Sequence, residues 1–532
     1  MFPRTRLTKL LVLGLLTGSV TSQEIWDVWQ TTWNRTNLFQ SNKRIPPLEF
    51  ADIAASSSAN IIINDLRIHQ PVLGFGGGLT DSSALLLSDL KAKNPQSYWN
   101  LLNYLFSPVE DANAAGLSYL RIPLGASDFA ASRYSFDDVD GDTCLNDFDI
   151  NNAPPYLFSV LSDIQAINSM LRVHLVPWSP PAWMKTSGTM NGGSLKPEYA
   201  ELYAHYLLKA LQGFKGKGIT AYAISIQNEP GHDNPTYPTA RFSVEMEAQV
   251  GRILKGLMRA NGWSGTKLIG YDHNWDNAGT YPVQLMQQAA DVFDGVAFHC
   301  YAGSVGQQDL FNRAFPIKEI YFTECSGVHG SDWWTDLKWY MDNIFIGAIQ
   351  HNARAALMWN IALDDNGNPK IPGTASCGGP GCRGIVTINN DGTWSVNQEF
   401  YAMAHVSKGT IPRDIGGPTA RRLTVNVEGS LSWALRVGAY VTYRAKSTDW
   451  LRYSLVVLNW NDSVGGWNPQ DVTATIEFRG KRVTFTFPVG ITTLWWYAPS
   501  IARNPGRHFE EREMEVFVEH NGTITSFVGF QN

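Results

Sequence analysis

The chain has 532 residues, 44% hydrophobic and 17% charged, with 48 acidic against 42 basic residues for a formal charge of −6. That composition excludes a disordered polymer, and the lack of a basic run argues against a nucleic-acid partner. The length holds a barrel of about 250 residues or more plus a second unit.

The N-terminal stretch "MFPRTRLTKLLVLGLLTGSVTSQE" sets Arg4, Arg6 and Lys9 before an apolar run from Leu10 to Leu16 and the small residues Val20, Thr21 and Ser22. It reads as a secretory signal peptide over 1–22. The apolar run is too short to cross about 30 Å of hydrocarbon, so no membrane span is expected, and no later segment is apolar for long enough. Secretion agrees with sequons at Asn34, Asn461 and Asn521. Five cysteines leave at least one over. Cys377 and Cys382, in "CGGPGC", are the expected disulfide. Cys300 and Cys325 lie on neighbouring strand candidates and either bridge or stay buried thiols, and Cys144 is the expected free thiol. No Cys/His set has zinc-site spacing, so no metal is expected.

Residues 23–70 include "PPLEFADIAASSSANIIINDLRIHQ", a β-type stretch expected to add strands to a side domain. From 71 to 410, short apolar strands alternate with amphipathic helices. The strand candidates are 72–76, 117–124, 173–178, 221–228, 267–271, 295–301, 319–324 and 356–361. The helical patterns "SYWNLLNYLF", "YLFSVLSDIQAIN", "PEYAELYAHYLLKALQGF" and "FSVEMEAQVGRILKGLMRA" follow the first four in turn. This alternation predicts an α/β fold, a (β/α)8 TIM barrel. An open doubly wound sheet would show a phosphate loop after its first strand, but "GFGGGLTD" has no Lys and lacks the dinucleotide spacing. Residues 411–532 carry "RLTVNV", "SLSWALRV", "LRYSLVVLNW" and "RVTFTFP" without helical periodicity, which predicts an attached β-sandwich.

Chemistry in such a barrel sits at the C-terminal strand ends. The second strand delivers Arg121 and then Asp128, the third Trp178 and Trp183, the fourth Asn228 and Glu229 in "ISIQNEP". The fifth delivers Asp272, His273 and Asn274, the sixth His299 and Tyr301, the seventh Glu324, and the eighth Trp359 and Asn360. Two carboxylates on nearly opposite strands, among aromatics and amides, describe a glycosidase site. One acid protonates the leaving oxygen and one carboxylate attacks the anomeric carbon. Glu229 is the expected acid/base, with a raised pKa, and Asn228 would hold a sugar 2-hydroxyl. Glu324 is the expected nucleophile, oriented by a Tyr301 hydrogen bond. Arg121 and Asp128 read either as a structural bridge or as a hydroxyl-reading Asp with Arg behind it. Trp178 and Trp359 read as core fillers or as covers for the sugar faces. His273 and His299 take supporting roles, and Trp183 has none that spacing can fix.

Taken together, "GFGGGLTDSSA", "LRIPLGASDFA", "YSFDDVDGD", "VPWSPPAWMKTSG", "ISIQNEP", "YFTECSG" and "MWNIALDDNGNP", spread over residues 72–370, resemble glycoside hydrolase family 30. The resemblance implies a barrel tightly joined to a β-sandwich, a retaining mechanism and no cofactor. By position it makes Glu229 the acid/base and Glu324 the nucleophile. It sets Arg121, Asp128, Trp178, Asn228, Tyr301 and Trp359 where glucose-binding members, the glucosylceramidases included, hold the terminal sugar. A secreted monomeric endo-β-1,6-glucanase is therefore expected, its partner a polysaccharide. The alternatives are an endo-β-1,6-galactanase on arabinogalactan side chains, a glucosylceramidase-like β-glucosidase, or a carbohydrate-binding barrel without catalysis. The insertion "GTASCGGPGCRG" is expected to shape the rim of the site.

Overall fold

The computed structural model describes residues 23–500, except 45, 53–56, 375 and 464, together with 518–520 and 523–525. The leader expected over 1–22 and the sequon at Asn521 lie outside the described residues. The chain begins in the side domain with β1 (Asp27–Thr32), β2 (Gln40–Ser41) and β3 (Ala59–Val72). In β3, Ala59, Ile61 and Ile63 are buried while Asn60 is exposed, the period-two pattern of a strand with one face on a core. One residue, Leu73, separates β3 from the first barrel strand. Gly74 makes the handover at φ +149°, and a Cβ there would meet Ser118 Oγ at 2.2 Å, so only glycine fits.

Eight parallel strands then close a ring in chain order: β4 (Gly74–Gly78), β5 (Tyr119–Leu124), β6 (Arg172–Pro177), β7 (Ala223–Ser225), β8 (Lys267–Asn274), β9 (Gly295–His299), β10 (Glu319–Glu324) and β11 (Ala353–Asn360). Most of these strands are buried along their whole length, as a parallel sheet covered on both faces requires. The bounds of every strand but β10 differ from the sequence expectation, four of them in ways that bear on the site or the domain join. Val72 pairs with Ala420 of the side sheet instead of opening the barrel. β7 shrinks to three residues, β8 runs on to Asn274, and β9 stops at His299, which leaves Tyr301 in the loop beyond. Apolar runs overshoot strand ends because loop residues under the barrel rim are buried without making ladder bonds.

Two helices, α1 (Asp81–Lys93) and α2 (Pro95–Phe106), separate β4 from β5; sequence periodicity picked out only the second. The first turn of α1 buries Asp81, Ser82 and Ser83 under an N-cap from Thr80, and those buried polar residues dilute its apolar stripe. The outer layer continues through α3 (Pro155–Ile167), α4 (Ala200–Gly216), α5 (Val244–Ala260), α6 (Tyr281–Ala289), α7 (Gln308–Ala314) and α8 (Trp333–Tyr340). The lower barrel interior is plugged by Tyr119, Ala223, Ile269, Ala297, Tyr321 and Leu357.

After the short α9 (Gly347–Gln350), α10 (Gln398–Thr410) lies between barrel and side domain, and its His405 bridges the hydroxyls of Thr31 and Thr493 at 2.9 Å each. Six further strands follow: β12 (Ala420–Glu428), β13 (Leu435–Thr442), β14 (Leu451–Asn459), β15 (Val472–Phe478), β16 (Lys481–Phe487) and β17 (Gly490–Ala498). They join the N-terminal strands in one nine-stranded sheet of order β16-β15-β3-β12-β13-β14-β17-β1-β2. Phe478 of β15 and Trp496 of β17 touch at 5.2 Å between ring centroids, although four strands separate them in the sheet. The sheet therefore curls over itself, and Ile61, Val457, Phe478 and Trp496 fill the space between its two layers. No helix among the described residues is long and apolar enough to cross a membrane.

Candidate active site

The C-terminal ends of the barrel strands enclose a cleft of about 340 Å³ lined by Asp128, Trp178, Asn228, Glu229, Tyr301, Glu324 and Trp359 among others. Arg121, the remaining residue singled out from sequence, lies beneath it. It points inward from the middle of β5, fully buried. Its Nη1 donates to Glu324 Oε2 at 2.6 Å and its Nη2 to Asn228 Oδ1 at 2.6 Å. Nη2 also stands 3.1 Å from Asp272 Oδ2. The bridge to Asp128 considered from sequence does not form. Asp128 instead accepts from the Ser376 hydroxyl at 2.6 Å, and its Oδ1 is buried without a protein partner. Burial pushes the Asp128 carboxyl up to about 7, against the hydrogen bond from Ser376.

Glu229 follows β7 with a left-handed backbone, φ 47°, and its N–H donates to the Asp272 carbonyl at 3.0 Å. Tyr271 and Asp272 are also left-handed, at 69° and 47°, where the register between β8 and β9 slips. Such a bulge re-aims a side chain, and here it turns Asp272 into the barrel. Asp272 accepts from Ser225 Oγ at 2.8 Å, Thr323 Oγ1 at 2.6 Å and His299 Nε2 at 3.0 Å. Although desolvation works against ionisation, Arg121 first and His299 next hold its carboxyl well below the usual range.

His299 is the link that sequence reasoning left in a supporting role. Its Nδ1 donates to Glu229 Oε1 at 3.0 Å while its Nε2 is taken by Asp272. An imidazole with both nitrogens on carboxylates carries both protons. Burial opposes that charge, but Glu324, Asp272 and Glu229 raise the His299 pKa to about 9. His273 Nδ1 stands 3.5 Å from the same Glu229 oxygen. The Glu229 carboxyl is thereby lowered despite its burial, which corrects the sequence expectation of a raised value. A neighbouring imidazolium outweighs desolvation. Glu324 goes the other way: burial and the charge of Glu229 raise it, although His299, Arg121 and the Tyr301 hydroxyl, which donates to Oε1 at 2.9 Å, pull it down. Donor atoms of Glu229, His273 and His299 lie within 4.8 Å of one another, close enough for a metal. Both His299 nitrogens are already taken by carboxylates in this arrangement.

Trp178 and Trp359 do not flank a gap. They stack on each other at 4.8 Å and 17°, with the Arg121 guanidinium 4.8 Å from the Trp178 ring. They form one aromatic wall, too close together to admit a sugar between them. Cys300–Cys325 and Cys377–Cys382 are both disulfides, and Cys144 is free and exposed. The first ties the loops after β9 and β10, hence Tyr301 to Glu324. The second closes a loop within the "GTASCGGPGCRG" insertion, whose Ser376, Cys377 and Cys382 line the cleft. Trp183 donates to the Asp137 carbonyl at 3.0 Å and supports the loop after β6.

The chain is similar to an endo-1,6-β-D-glucanase of Neurospora crassa, 31% identical over 354 residues covering 64% of this chain and 70% of that protein. An endo-1,6-β-D-glucanase of Trichoderma harzianum is 29% identical over 396 residues, 70% of this chain and 77% of its own. A solved endo-β1,6-glucanase superposes with TM-score 0.75 at 26% identity, over 89% of this chain and 99% of the other. The model of the glycosyl hydrolase family 30 TIM-barrel domain matches residues 72–409. The chain belongs to glycosyl hydrolase family 30 and is a glycoside hydrolase.

Proposed function

We propose that this chain is a secreted endo-β-1,6-glucanase acting by retaining double displacement. One observation carries the mechanism: Glu229 and Glu324, from the ends of β7 and β10, line one cleft in which Glu324 is gripped by Arg121 and Tyr301. A carboxylate held by two donors is fixed for attack, and a glycosidase nucleophile must be aimed at the anomeric carbon. Glu324 attacks that carbon while Glu229 gives a proton to the departing oxygen. A water, deprotonated by Glu229, then attacks the anomeric carbon of the glycosyl ester and breaks its bond to Glu324, which leaves as a carboxylate. Glu229 draws the proton it gives from His299, whose Nδ1 lies 3.0 Å from Glu229 Oε1, and returns the proton taken from water by the same route. Asn228, oriented by Arg121, holds the 2-hydroxyl, and the unpartnered Asp128 Oδ1 accepts from sugar hydroxyls. The β-1,6-glucan substrate is supported by the relatives named as endo-1,6-β-D-glucanases. Secretion is supported by two disulfides, which persist in oxidising compartments.

Incubation with pustulan, a β-1,6-glucan, tests the reading beside de-arabinosylated arabinogalactan. Gentio-oligosaccharides with retained anomeric configuration are expected, and a 2-deoxy-2-fluoro-glucosyl fluoride should label Glu324. Galactobiose without gentiobiose, or a label on another residue, overturns it.

A further inference from the structure

A second cleft, of about 530 Å³, lies between α8 with its continuation to Asn343 and the turns of the side domain. It shares no lining residue with the active-site cleft. Three tryptophans shape it. Trp433 is 51% exposed and Trp339 39%, while Trp460 lies half-buried beside them and donates through Nε1 to the Trp433 carbonyl at 2.8 Å. Large aromatic faces left in water are unfavourable unless something covers them. The polar groups around them are arranged for a neutral, hydroxyl-rich ligand. Lys338 is neutralised by Asp462 at 2.7 Å, and Asp342 is paired with Arg436. Asn343 donates to the Trp339 carbonyl at 3.1 Å, which leaves its own carbonyl as an acceptor at the rim. The site is also braced. Asp462, 3% exposed, accepts from Trp334 Nε1 at 2.6 Å as well as from Lys338, which locks the 460–463 turn to α8.

Flat rings with hydrogen-bonding groups at their edges and no net unpaired charge suit pyranose units, whose C–H faces stack while their hydroxyls reach the rim. We propose that this cleft is a second, non-catalytic binding site for the β-1,6-glucan chain. It holds a stretch of polymer on the barrel's outer surface while another stretch is cut. The proposal rests on the substrate reading above. Holding one polymer at two places raises the effective concentration of the second contact without new chemistry.

The test combines kinetics with binding. Wild type, W433A, W339A and W433F are assayed on pustulan and on gentiotetraose, too short to reach both clefts. The same changes made in E324Q are run through native gels containing pustulan. Each alanine variant is expected to raise KM on pustulan about fivefold and to leave kcat/KM on gentiotetraose within the error of the wild type. Retardation by pustulan should weaken to match, and W433F, which keeps a flat ring, should retain most of both. Unchanged KM and retardation in W433A and W339A overturn the proposal, as does an equal loss on both substrates. A wild type that leaves pustulan intact while W433A still loses retardation defeats the substrate reading alone.

Discussion

The two ends of the barrel interior are filled in opposite ways. The lower end is an apolar and aromatic plug of Tyr119, Ile269, Tyr321 and Leu357, where the Tyr321 hydroxyl pairs locally, with Glu319 at 2.5 Å and with Tyr222 at 3.2 Å. The upper end buries Arg121, Asp272 and His299 in one ion network beneath the two cleft glutamates. Buried charge is expensive unless each member is paired. The contrast separates the part of the barrel that holds the molecule together from the part that holds reacting groups in place. Replacing a residue of the plug should change stability alone, whereas replacing a residue of the network should change stability, activity and pH response together.

Glu324→Gln separates the two ends most widely. On pustulan kcat should fall by at least about 1000-fold, while the Gln oxygen still accepts from Arg121 and holds the loss of stability to about 1–2 kcal/mol. Arg121→Met comes next: it removes the buried cation that Asp272 and Glu324 share, so urea unfolding should show a loss of about 3–5 kcal/mol, together with loss of activity. If Arg121→Met is inactive but as stable as the wild type, the network does not contribute to the fold.

The third effect is a pH dependence. The His299 pKa is raised from 6.5 to about 9, so its stabilising contribution is fully present below pH 6.5 and disappears as pH rises through 9. Over that window the stability advantage of the wild type over His299→Asn should shrink by up to about 3 kcal/mol, read as Tm against pH. A constant difference across pH would show that His299 is neutral in the folded protein. The smallest effect belongs to the plug: Tyr321→Phe should cost about 1 kcal/mol and leave kcat on pustulan unchanged. A fall in kcat there would mean the two ends are coupled.

Much of this site was legible in the chain. β10 has the bounds its apolar run predicts, and its last residue is Glu324. The polar stop "NEP" after the run "ISI" marks Asn228 and Glu229 as presented groups because a buried strand cannot end on a carboxylate without a cavity to receive it. Tyr301 donating to Glu324 followed from adjacency of the sixth and seventh strands. Less legible was anything that depends on which side chain stands opposite. Arg121 could have paired with Asp128, seven residues on, but inward-facing positions of β5 point across the ring at Asp272 and Glu324. Trp178, just past β6, and Trp359 on β11 could have covered separate sugar faces, and instead stack on each other.

The amino-acid order alone therefore determined the alternation of strand and helix, the eightfold ring it implies, and the two strand ends that carry the glutamates, because burial period and strand order are local properties of the chain. Tertiary structure alone decided that His299 and Asp272 join Glu229 in one proton-holding group, that Cys300 and Cys325 bond, and that Glu229 sits low and Glu324 high in pKa. Those outcomes depend on distances between residues remote in the chain and on the field inside a closed barrel, where nearby cations outweigh burial at Glu229 and burial outweighs them at Glu324.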